Sequence, residues 1–380
     1  MRHHQYNSDF KFVKNPIDFN KYTKRDILQY CLGATMYMPG TKDFTDAILA
    51  KKYPGLTSMV MCFEDACKEE DVPKAEQNVI HLLGVLADKL DSGEITYTDI
   101  PILFVRVRNV EQYLRFSAML EKKHVKVLAG FNFPKFNSKN AEPYFSHLKK
   151  LNEKFGEILY GMPILEDTRI AFKETRTKEL MDVKDIIDNY RDLVLNIRVG
   201  CTDFSSYFGL RRDMNYTIYD IIPVREILTD ILNVFIRFND YTVSGPVWEY
   251  FRINKSLKFG EIPKVDLQES LLRRTPLVNA EVDGLMRELI LDKANGFVGK
   301  TIIHPSHINF VNGIQAVIRE EYEDALQIVD TSGGVIKSTS GNRMNEIGPH
   351  QRWAEKILWR AEVYGVIENQ SSYFELFGKM

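Results

Sequence analysis

Two acidic residues follow two apolar stretches of the chain, and their placement could support chemistry. Residues 158–164 are apolar and are soon followed by Glu166, with Asp167 beside it, and residues 193–199 are soon followed by Asp203. A short apolar run bounded by turn residues is typical of a buried, parallel strand. Hard carboxylate oxygens at neighbouring strand ends suit Mg²⁺. We therefore predict that Glu166 and Asp203 bind Mg²⁺, with Mn²⁺ as the alternative metal and Asp167 as the alternative to Glu166.

These acids require a scaffold that brings strand ends together, and the rest of the chain predicts one. Between the two runs, apolar residues recur at helical spacing, which gives a strand–helix–strand unit. Eight short apolar runs alternate with mostly helical patterns, and carboxylates follow several of them. We predict an α/β fold, a (β/α)8 TIM barrel rather than a doubly wound sheet, with the active site at the carboxyl ends of the strands. The expected strands are 34–40, 58–63, 101–107, 125–131, 158–164, 193–199, 241–247 and 299–305.

The texture of the sequence changes after the eighth apolar run. Residues 1–313 are assigned to the barrel, with a polar N-terminal lead-in and a polar, irregular insertion near 248–282. Residues 314–380 contain two helical patterns around a Gly/Ser-rich stretch. Because the barrel is already complete, we expect this segment to be a C-terminal helical lid that also contributes to oligomerisation.

Four charged residues near other expected strand ends are further candidates. Arg106 lies at the inner end of an apolar strand and needs an anion, either a substrate oxygen or a structural partner in Glu64 or Asp65. Glu64 and Asp65 either orient water on the metal or only pair with Arg106. Lys135 follows another strand and could contact a substrate carboxylate or phosphate, although a solvated loop lysine fits equally well.

Composition excludes several classes of protein. The net charge of −2 gives no sign of a nucleic-acid partner, and no apolar run approaches the roughly 20 residues that a membrane helix needs. The N-terminal residues carry no apolar signal core. The cysteines form neither CxxC pairs nor a secreted framework, so we expect a reducing, cytoplasmic location. They are Cys31, Cys62, Cys67 and Cys201.

Residues 294–301 fit a relaxed phosphate-loop pattern with Ala294 in place of the first glycine. A true phosphate loop follows a strand and opens a helix, whose N-terminal amides hold the phosphates. Here a helical pattern precedes the motif and an apolar strand follows it. We therefore reject nucleotide binding through Lys300.

The ends of the expected strands and the C-terminal segment carry an ordered set of motifs. They are MPG (38–40), CFEDAC (62–67), VRVR (105–108), FPK (133–135), ILED (164–167), GCTDFSSYFG (200–209), GKTIIHP (299–305) and GNRMNEIGPH (341–350). Taken in order, these motifs resemble those of the HpcH/HpaI aldolase and citrate lyase β-subunit superfamily, especially its divergent bacterial C–C bond lyase branch. The resemblance covers roughly 300 residues, and its strength lies in the ordered set.

The resemblance implies roles for individual residues. Glu166 and Asp203 match the family's magnesium ligands, and Arg106 matches its arginine for the substrate carboxylate and oxyanion. The acidic pair after the second strand matches the residues that support the metal's water shell. Glu346 stands at the position of the lid aspartate, which acts as acid or base, often in a neighbouring subunit's site. Glutamate replaces aspartate there, and Cys62 replaces the first aspartate of the second-strand motif.

The function that follows from these expectations is a Mg²⁺-dependent carbon–carbon bond lyase. It would cleave or form a bond next to a carbonyl in a small carboxylate or acyl-CoA substrate, through a metal-stabilised enolate. The resemblance also implies a homo-oligomer such as a trimer. Two alternatives remain open: a thioester hydrolase that uses the same metal site, and a catalytically silent barrel that binds partners in a biosynthetic assembly.

Overall fold

The structure, a computed structural model, describes residues 3–251 and 266–378. Its central sheet is parallel, with strand order β6-β5-β4-β3-β2-β1-β7. The strands of this sheet are β1 Ala34–Pro39, β2 Ser58–Cys62, β3 Ile102–Arg106, β4 Leu128–Phe133, β5 Tyr160–Leu165, β6 Arg198–Val199 and β7 Lys300–Ile302.

The sheet closes into a barrel through the segment that was expected to be its seventh strand. Ile197 pairs in parallel with Val243 on one side of this segment, and Lys300 pairs in parallel with Gly245 on the other. The segment therefore lies between β6 and β7, although its pairing is limited to single bridges. The prediction of an α/β barrel is confirmed, and its carboxyl-terminal edge is called the mouth below.

Helices follow most of the strands and cover the outside of the barrel. The longest, α3, buries its expected apolar face, which includes Val79, Leu82, Leu83 and Leu86. In the described chain the helices are α1 Arg25–Leu28, α2 Thr45–Leu49, α3 Val72–Asp91, α4 Val110–Ala118, α5 Lys122–Val127, α6 Ala141–Phe155, α7 Thr168–Ala171, α8 Lys173–Asp188, α9 Cys201–Tyr207, α10 Ile222–Phe235, α11 Leu267–Leu272, α12 Ala280–Ala294, α13 Ile308–Gln315, α14 Arg319–Asp330, α15 Ile347–Tyr364 and α16 Ser372–Leu376.

The fourth strand lies further along the chain than the sequence predicts. Residues 125–131 were expected to be extended, but Lys122–Val127 form α5 and the strand runs over Leu128–Phe133. A capping box between Glu121 and His124 starts the helix, so the first apolar residues of the run are helical. Short apolar runs do not distinguish a strand from a buried helical turn, which explains the error.

The C-terminal segment is helical as expected, and its contacts lie on the side of the barrel opposite the mouth. The Tyr364 hydroxyl donates a hydrogen bond to Tyr30 O at 2.7 Å, and Arg360 Nη2 donates to Phe297 O at 2.7 Å. Tyr30 precedes β1 and Phe297 precedes β7, so these contacts are made at the amino-terminal ends of the strands. A lid over a neighbouring copy's mouth stays a prediction, as does the domain boundary near 313.

The remaining strands are short and belong to this C-terminal segment. They are β8 Val317–Ile318, β9 Val335–Lys337, β10 Met344–Glu346 and β11 Val366–Ile367. The Gly/Ser-rich stretch between the two helical patterns contains an antiparallel hairpin of β9 and β10. It packs beside α14 and α15.

The predicted insertion at 248–282 is covered only in part, because residues 252–265 lie outside the described residues. Within the rest, Trp248 is fully buried and α11 forms a regular helix, so those parts are more ordered than the polar composition suggested. Among the residues that the structure describes, no helix is long and apolar enough to cross a membrane.

Candidate active site at the barrel mouth

Consecutive strands deliver the predicted residues to one side of the mouth. Arg106 is the last residue of β3, and Glu64 lies two residues beyond β2. Glu166 follows β5 directly, and Asp203 lies in the first turn of α9 just after β6. Lys135 follows β4 with φ at +46°, a left-handed conformation that turns the chain sharply at this point. Parallel strands bring their carboxyl ends together, so these positions meet although they are far apart in sequence.

Arg106 is the centre of an ion-pair cluster. Its Nη2 lies 2.7 Å from Glu64 Oε2, 2.9 Å from Glu166 Oε1 and 3.2 Å from Asp65 Oδ2. Burial opposes the charge of Arg106, but the carboxylates, Glu166 foremost, raise the pKa of its guanidinium above its ordinary value. The sequence left open whether Arg106 binds a substrate or pairs with Glu64 and Asp65. Here the pairing is present, and the guanidinium also lines the cavity described below.

Glu64 and Asp65 titrate differently although they are neighbours. Burial and the hydrogen bond with Asp65 raise the pKa of Glu64 to about 7. Burial also acts on Asp65, but the hydrogen bond with Glu64 and the charge of Arg106 hold the pKa of Asp65 below its ordinary value. The pair can therefore share a proton near neutral pH.

Lys135 joins the two predicted metal ligands. Its backbone N–H donates to Glu166 Oε1 at 3.0 Å, and its ammonium contacts Asp203 Oδ1. The same ammonium lies 3.8 Å from Glu166 Oε1 and 3.9 Å from Glu64 Oε1. Burial is outweighed by these carboxylates, which raise the pKa of Lys135. Lys135 is therefore paired in this structure, unlike a solvated loop lysine.

The structure separates Glu166 from its neighbour Asp167. Glu166 is 2% exposed and its carboxylate reaches Arg106, whereas Asp167 caps α7 by accepting a hydrogen bond from Arg169 N–H at 2.9 Å. Asn137 Nδ2 donates to the other Asp167 oxygen at 3.0 Å. Burial raises the pKa of Glu166, and the charge of Arg106 opposes that shift. Asp167 is occupied by capping, so Glu166 is the carboxylate available at the mouth.

A glycine makes room for the Glu166 carboxylate. A Cβ added at Gly200 would overlap the Glu166 side chain, so only glycine permits this approach of β5 and β6. The Tyr207 hydroxyl donates to Glu166 O at 3.0 Å and holds the backbone from the other side. Part of the GCTDF motif thus positions Glu166 as well as supplying Asp203.

The donor set at the mouth fits a divalent cation in type and charge. Within the ion-pair cluster four carboxylates face two cations, Arg106 and Lys135, which leaves two negative charges when all are ionised. A third cation, Arg198, lines the adjoining cavity and offsets one of these charges. The Lys135 ammonium, within 4 Å of three of these carboxylates, marks where a cation is attracted. The described residues contain no preformed group of three metal-ligating side chains. Mg²⁺ does not need one, because one or two carboxylates with water and substrate oxygens complete its octahedron.

A cavity of about 430 Å³ opens beside these residues. A volume of this order accommodates a small organic ligand. Cys62 contributes to its wall at the position where the related family has aspartate, and burial raises the pKa of its thiol. Arg198 also lines the cavity, and the sequence analysis missed it. The available signal was a lone arginine within the apolar run LVLNIRVG.

Glu346 is the one predicted site residue that lies neither in the ion-pair cluster nor on the wall of this cavity. It ends β10, precedes α15 and is exposed to solvent. It is absent from the cavity wall formed by the described part of its own chain. Its proposed proton transfer in cis therefore has no geometric support, and action on a neighbouring copy stays a prediction.

Lys300, the lysine of the rejected phosphate-loop pattern, is engaged in a buried ion-pair network. Its ammonium lies 2.8 Å from Glu288 Oε1 and 2.7 Å from Asp292 Oδ2, and all three side chains are fully buried. Lys300 begins β7, so no helix follows the motif to hold a phosphate.

With this geometry established, similarities to known proteins identify the class of protein. The model of the family described as C–C bond lyase of the TIM-barrel fold matches residues 26–366. The chain belongs to this family, and the predicted resemblance to C–C bond lyases is confirmed. None of the curated proteins matches the chain.

Two solved structures illustrate the likeness of fold. CitE from Mycobacterium tuberculosis, in complex with magnesium, acetoacetate and coenzyme A, is 15% identical with a TM-score of 0.51, and the match covers 88% of this chain and 99% of that chain. Haloferax volcanii malate synthase, in a magnesium/glyoxylate complex, is 11% identical with a TM-score of 0.50, and the match covers 79% of this chain and 76% of that chain. At such identities these likenesses support the barrel fold alone.

Proposed function

We propose that this chain is a Mg²⁺-dependent carbon–carbon bond lyase that acts on a small carboxylate or acyl-CoA substrate. The observation that carries the proposal is the cluster at the mouth. Its carboxylates Asp65, Glu166 and Asp203 line a cavity of ligand size together with Arg106, and Glu64 and Lys135 are ion-paired to these residues. Its excess of negative charge calls for a divalent cation, and its arginine offers a donor for a developing oxyanion.

Each residue has a proposed task. Glu166 and Asp203 hold the metal, which when bound supplies positive charge that polarises the substrate carbonyl. Arg106 donates to the oxygen on which negative charge develops as the C–C bond breaks. Lys135 binds a substrate oxygen.

Glu64 and Asp65 hold Arg106 in place through Nη2. Because these contacts fix the position of the guanidinium, Arg106 needs little rearrangement to meet the substrate. Glu346 of a neighbouring subunit acts as the acid or base that transfers a proton, a role that rests on the resemblance.

The test is Mg²⁺ calorimetry on three proteins. Wild type is expected to bind one Mg²⁺, Glu166→Gln to lose binding, and Asp167→Asn to keep it, because asparagine still caps α7. Asp167→Asn is the matched control, since it removes one negative charge from the adjacent position. Absence of Mg²⁺ and Mn²⁺ binding in wild type would overturn the proposal and favour a silent barrel.

If metal binds, product analysis decides the reaction class. A C–C lyase releases two carbon fragments from a 2-oxo or 3-hydroxy acid, or from its CoA ester. Release of free CoA with the acyl carbon chain intact would instead identify a thioester hydrolase.

A further inference from the structure

Arg198 occupies an unusual position on the inside of the barrel. It is the first residue of β6, pairs with Ile164 of β5, and lines the cavity at the mouth. Its side chain is almost wholly buried, with a residue exposure of 1%. Barrel interiors are normally filled by branched apolar side chains, so a buried arginine at this position needs a reason.

The partners of Arg198 are all uncharged. Its Nη2 donates to Thr301 Oγ1 at 2.7 Å, and its Nη1 makes long contacts of 3.4 Å to Ser244 Oγ and 3.5 Å to Thr35 Oγ1. The guanidinium also lies over the ring of Tyr37, 5.5 Å from its centroid.

The guanidinium is not fully satisfied by these groups. Its Nε–H, buried from solvent, has no hydrogen-bond partner. Across the described residues, no carboxylate oxygen comes within 4.0 Å of Arg198. A buried cation without an anion is costly, so the site is incomplete as it stands.

Two other buried arginines near the cavity, Arg106 and Arg212, also have an Nε–H without a hydrogen-bond partner, but unlike Arg198 their charge is balanced. Arg106 meets three carboxylates, and Arg212 is paired with Glu288 and Glu249. The carboxylates outweigh burial and raise the pKa of both guanidinium groups. At Arg198 burial dominates and lowers the pKa, because only Tyr37 opposes it.

We infer that Arg198 binds a second anionic group of the substrate, a carboxylate, while the carbonyl end of the substrate lies at the Glu166–Asp203 cluster. This inference rests on the proposed function and names its substrate class: a compact 2-oxo dicarboxylic acid or its C–C bonded precursor. A planar carboxylate matches the fork of a guanidinium and would supply the missing partner of Nε.

The test compares ligands that differ only in the second carboxylate. Oxaloacetate is matched with 2-oxobutyrate, and 2-oxoglutarate with 2-oxopentanoate, in calorimetry with Mg²⁺ present. Wild type is expected to bind at least one dicarboxylate about tenfold more tightly than the matched monocarboxylate, which is the effect of a charge-assisted hydrogen bond. The ligand pair with the larger ratio of affinities indicates which spacing of the two carboxylates fits the distance between the metal site and Arg198.

Arg198→Met should reduce that ratio to about one, while its affinity for Mg²⁺ and for the monocarboxylates stays at the wild-type value. Arg198→Lys keeps the charge and should retain part of the preference, which covers the case in which the methionine variant does not fold. Thr301→Val is the control: it removes the shortest neutral partner and should leave most of the ratio.

A purely structural Arg198 would change stability but not the ratio, so an unchanged ratio in Arg198→Met overturns the inference. A wild type without any dicarboxylate preference overturns it as well. If wild type binds no metal, the proposed function fails. The ratio of dicarboxylate to monocarboxylate affinity, measured in metal-free buffer, still tests whether Arg198 binds a carboxylate.

Discussion

The charged side chains at the mouth do not form independent pairs. Arg106 and Lys135 share two carboxylates, Glu64 and Glu166, and Glu166 Oε1 lies near both cations. Each cation lowers the cost of burying the acids, and the acids hold the cations in place. The cluster is therefore poised to exchange one cation for another, which is what binding of Mg²⁺ would require.

Lys135 is the cation that Mg²⁺ has to displace, because its ammonium contacts Asp203 and lies near Glu166. We predict that Lys135→Met tightens Mg²⁺ binding about tenfold, since a competing positive charge is removed from the carboxylates. Calorimetry measures the change, and Lys139→Met, an exposed lysine of the same loop, is the control. Weaker binding in Lys135→Met would mean that the lysine instead organises the metal ligands.

The elements matter through the close approach of their backbones. β4 and β5 can lie side by side at Gly130 only because this residue has no side chain: a Cβ there would overlap Tyr160 O. Gly130 also has φ at +157°, a conformation that other residues rarely adopt. Lys135 follows the end of β4 and Glu166 follows the end of β5. The close contact of these two strands at Gly130 therefore helps to position both site residues.

We predict that Gly130→Ala lowers the free energy of unfolding by roughly 3 kcal/mol, from backbone strain and the displaced strand. Gly156→Ala is the matched control, because Gly156 also has positive φ, at +65°, but faces open space after α6. That change should cost only about 1 kcal/mol. Urea titration of both variants gives the values, and equal losses would refute the packing argument.

At the scale of the whole molecule, the first described residues contact the C-terminal segment on the side of the barrel opposite the mouth. The buried His4 hydrogen-bonds through Nε2 to Tyr364 O at 3.1 Å, and its neighbour His3 stacks on the Tyr364 ring. Burial lowers the pKa of His4 from 6.5 to about 3. The α15 helix, which ends at Tyr364, is thereby tied to the first residues described.

This contact predicts a loss of stability in acid. Below about pH 6.5 the unfolded chain protonates His4, but the folded chain does so only near pH 3, so unfolding becomes progressively easier as the pH falls between these values. We expect the melting temperature of His4→Gln to be lower at pH 7 and to fall less steeply toward pH 4 than that of wild type. The exposed His81 offers the control His81→Gln, which should keep the wild-type slope.

The sequence predicted the barrel and its strand-end residues better than it predicted the boundaries of individual strands. The alternation of apolar runs and helical patterns sufficed for the barrel, because burial requires those periodicities whatever the partners are. The strand-end positions of Arg106, Glu166 and Asp203 followed from the same pattern. The start of β4 did not, since an apolar run does not reveal whether a capping box will turn its first residues into a helix.

What remained ambiguous in the sequence depended on distances between strands. Glu166 and Asp167 are equivalent carboxylates in a sequence, but in space one meets Arg106 and the other caps α7. In the sequence, Arg198 is a single charge within an apolar run. In the folded chain its hydrogen-bond partners are the hydroxyl groups of Thr35, Ser244 and Thr301, and no acid among the described residues pairs with it. Periodicity fixes which side of a strand a residue occupies, but whether its charge is balanced depends on groups that only folding brings within a few ångströms.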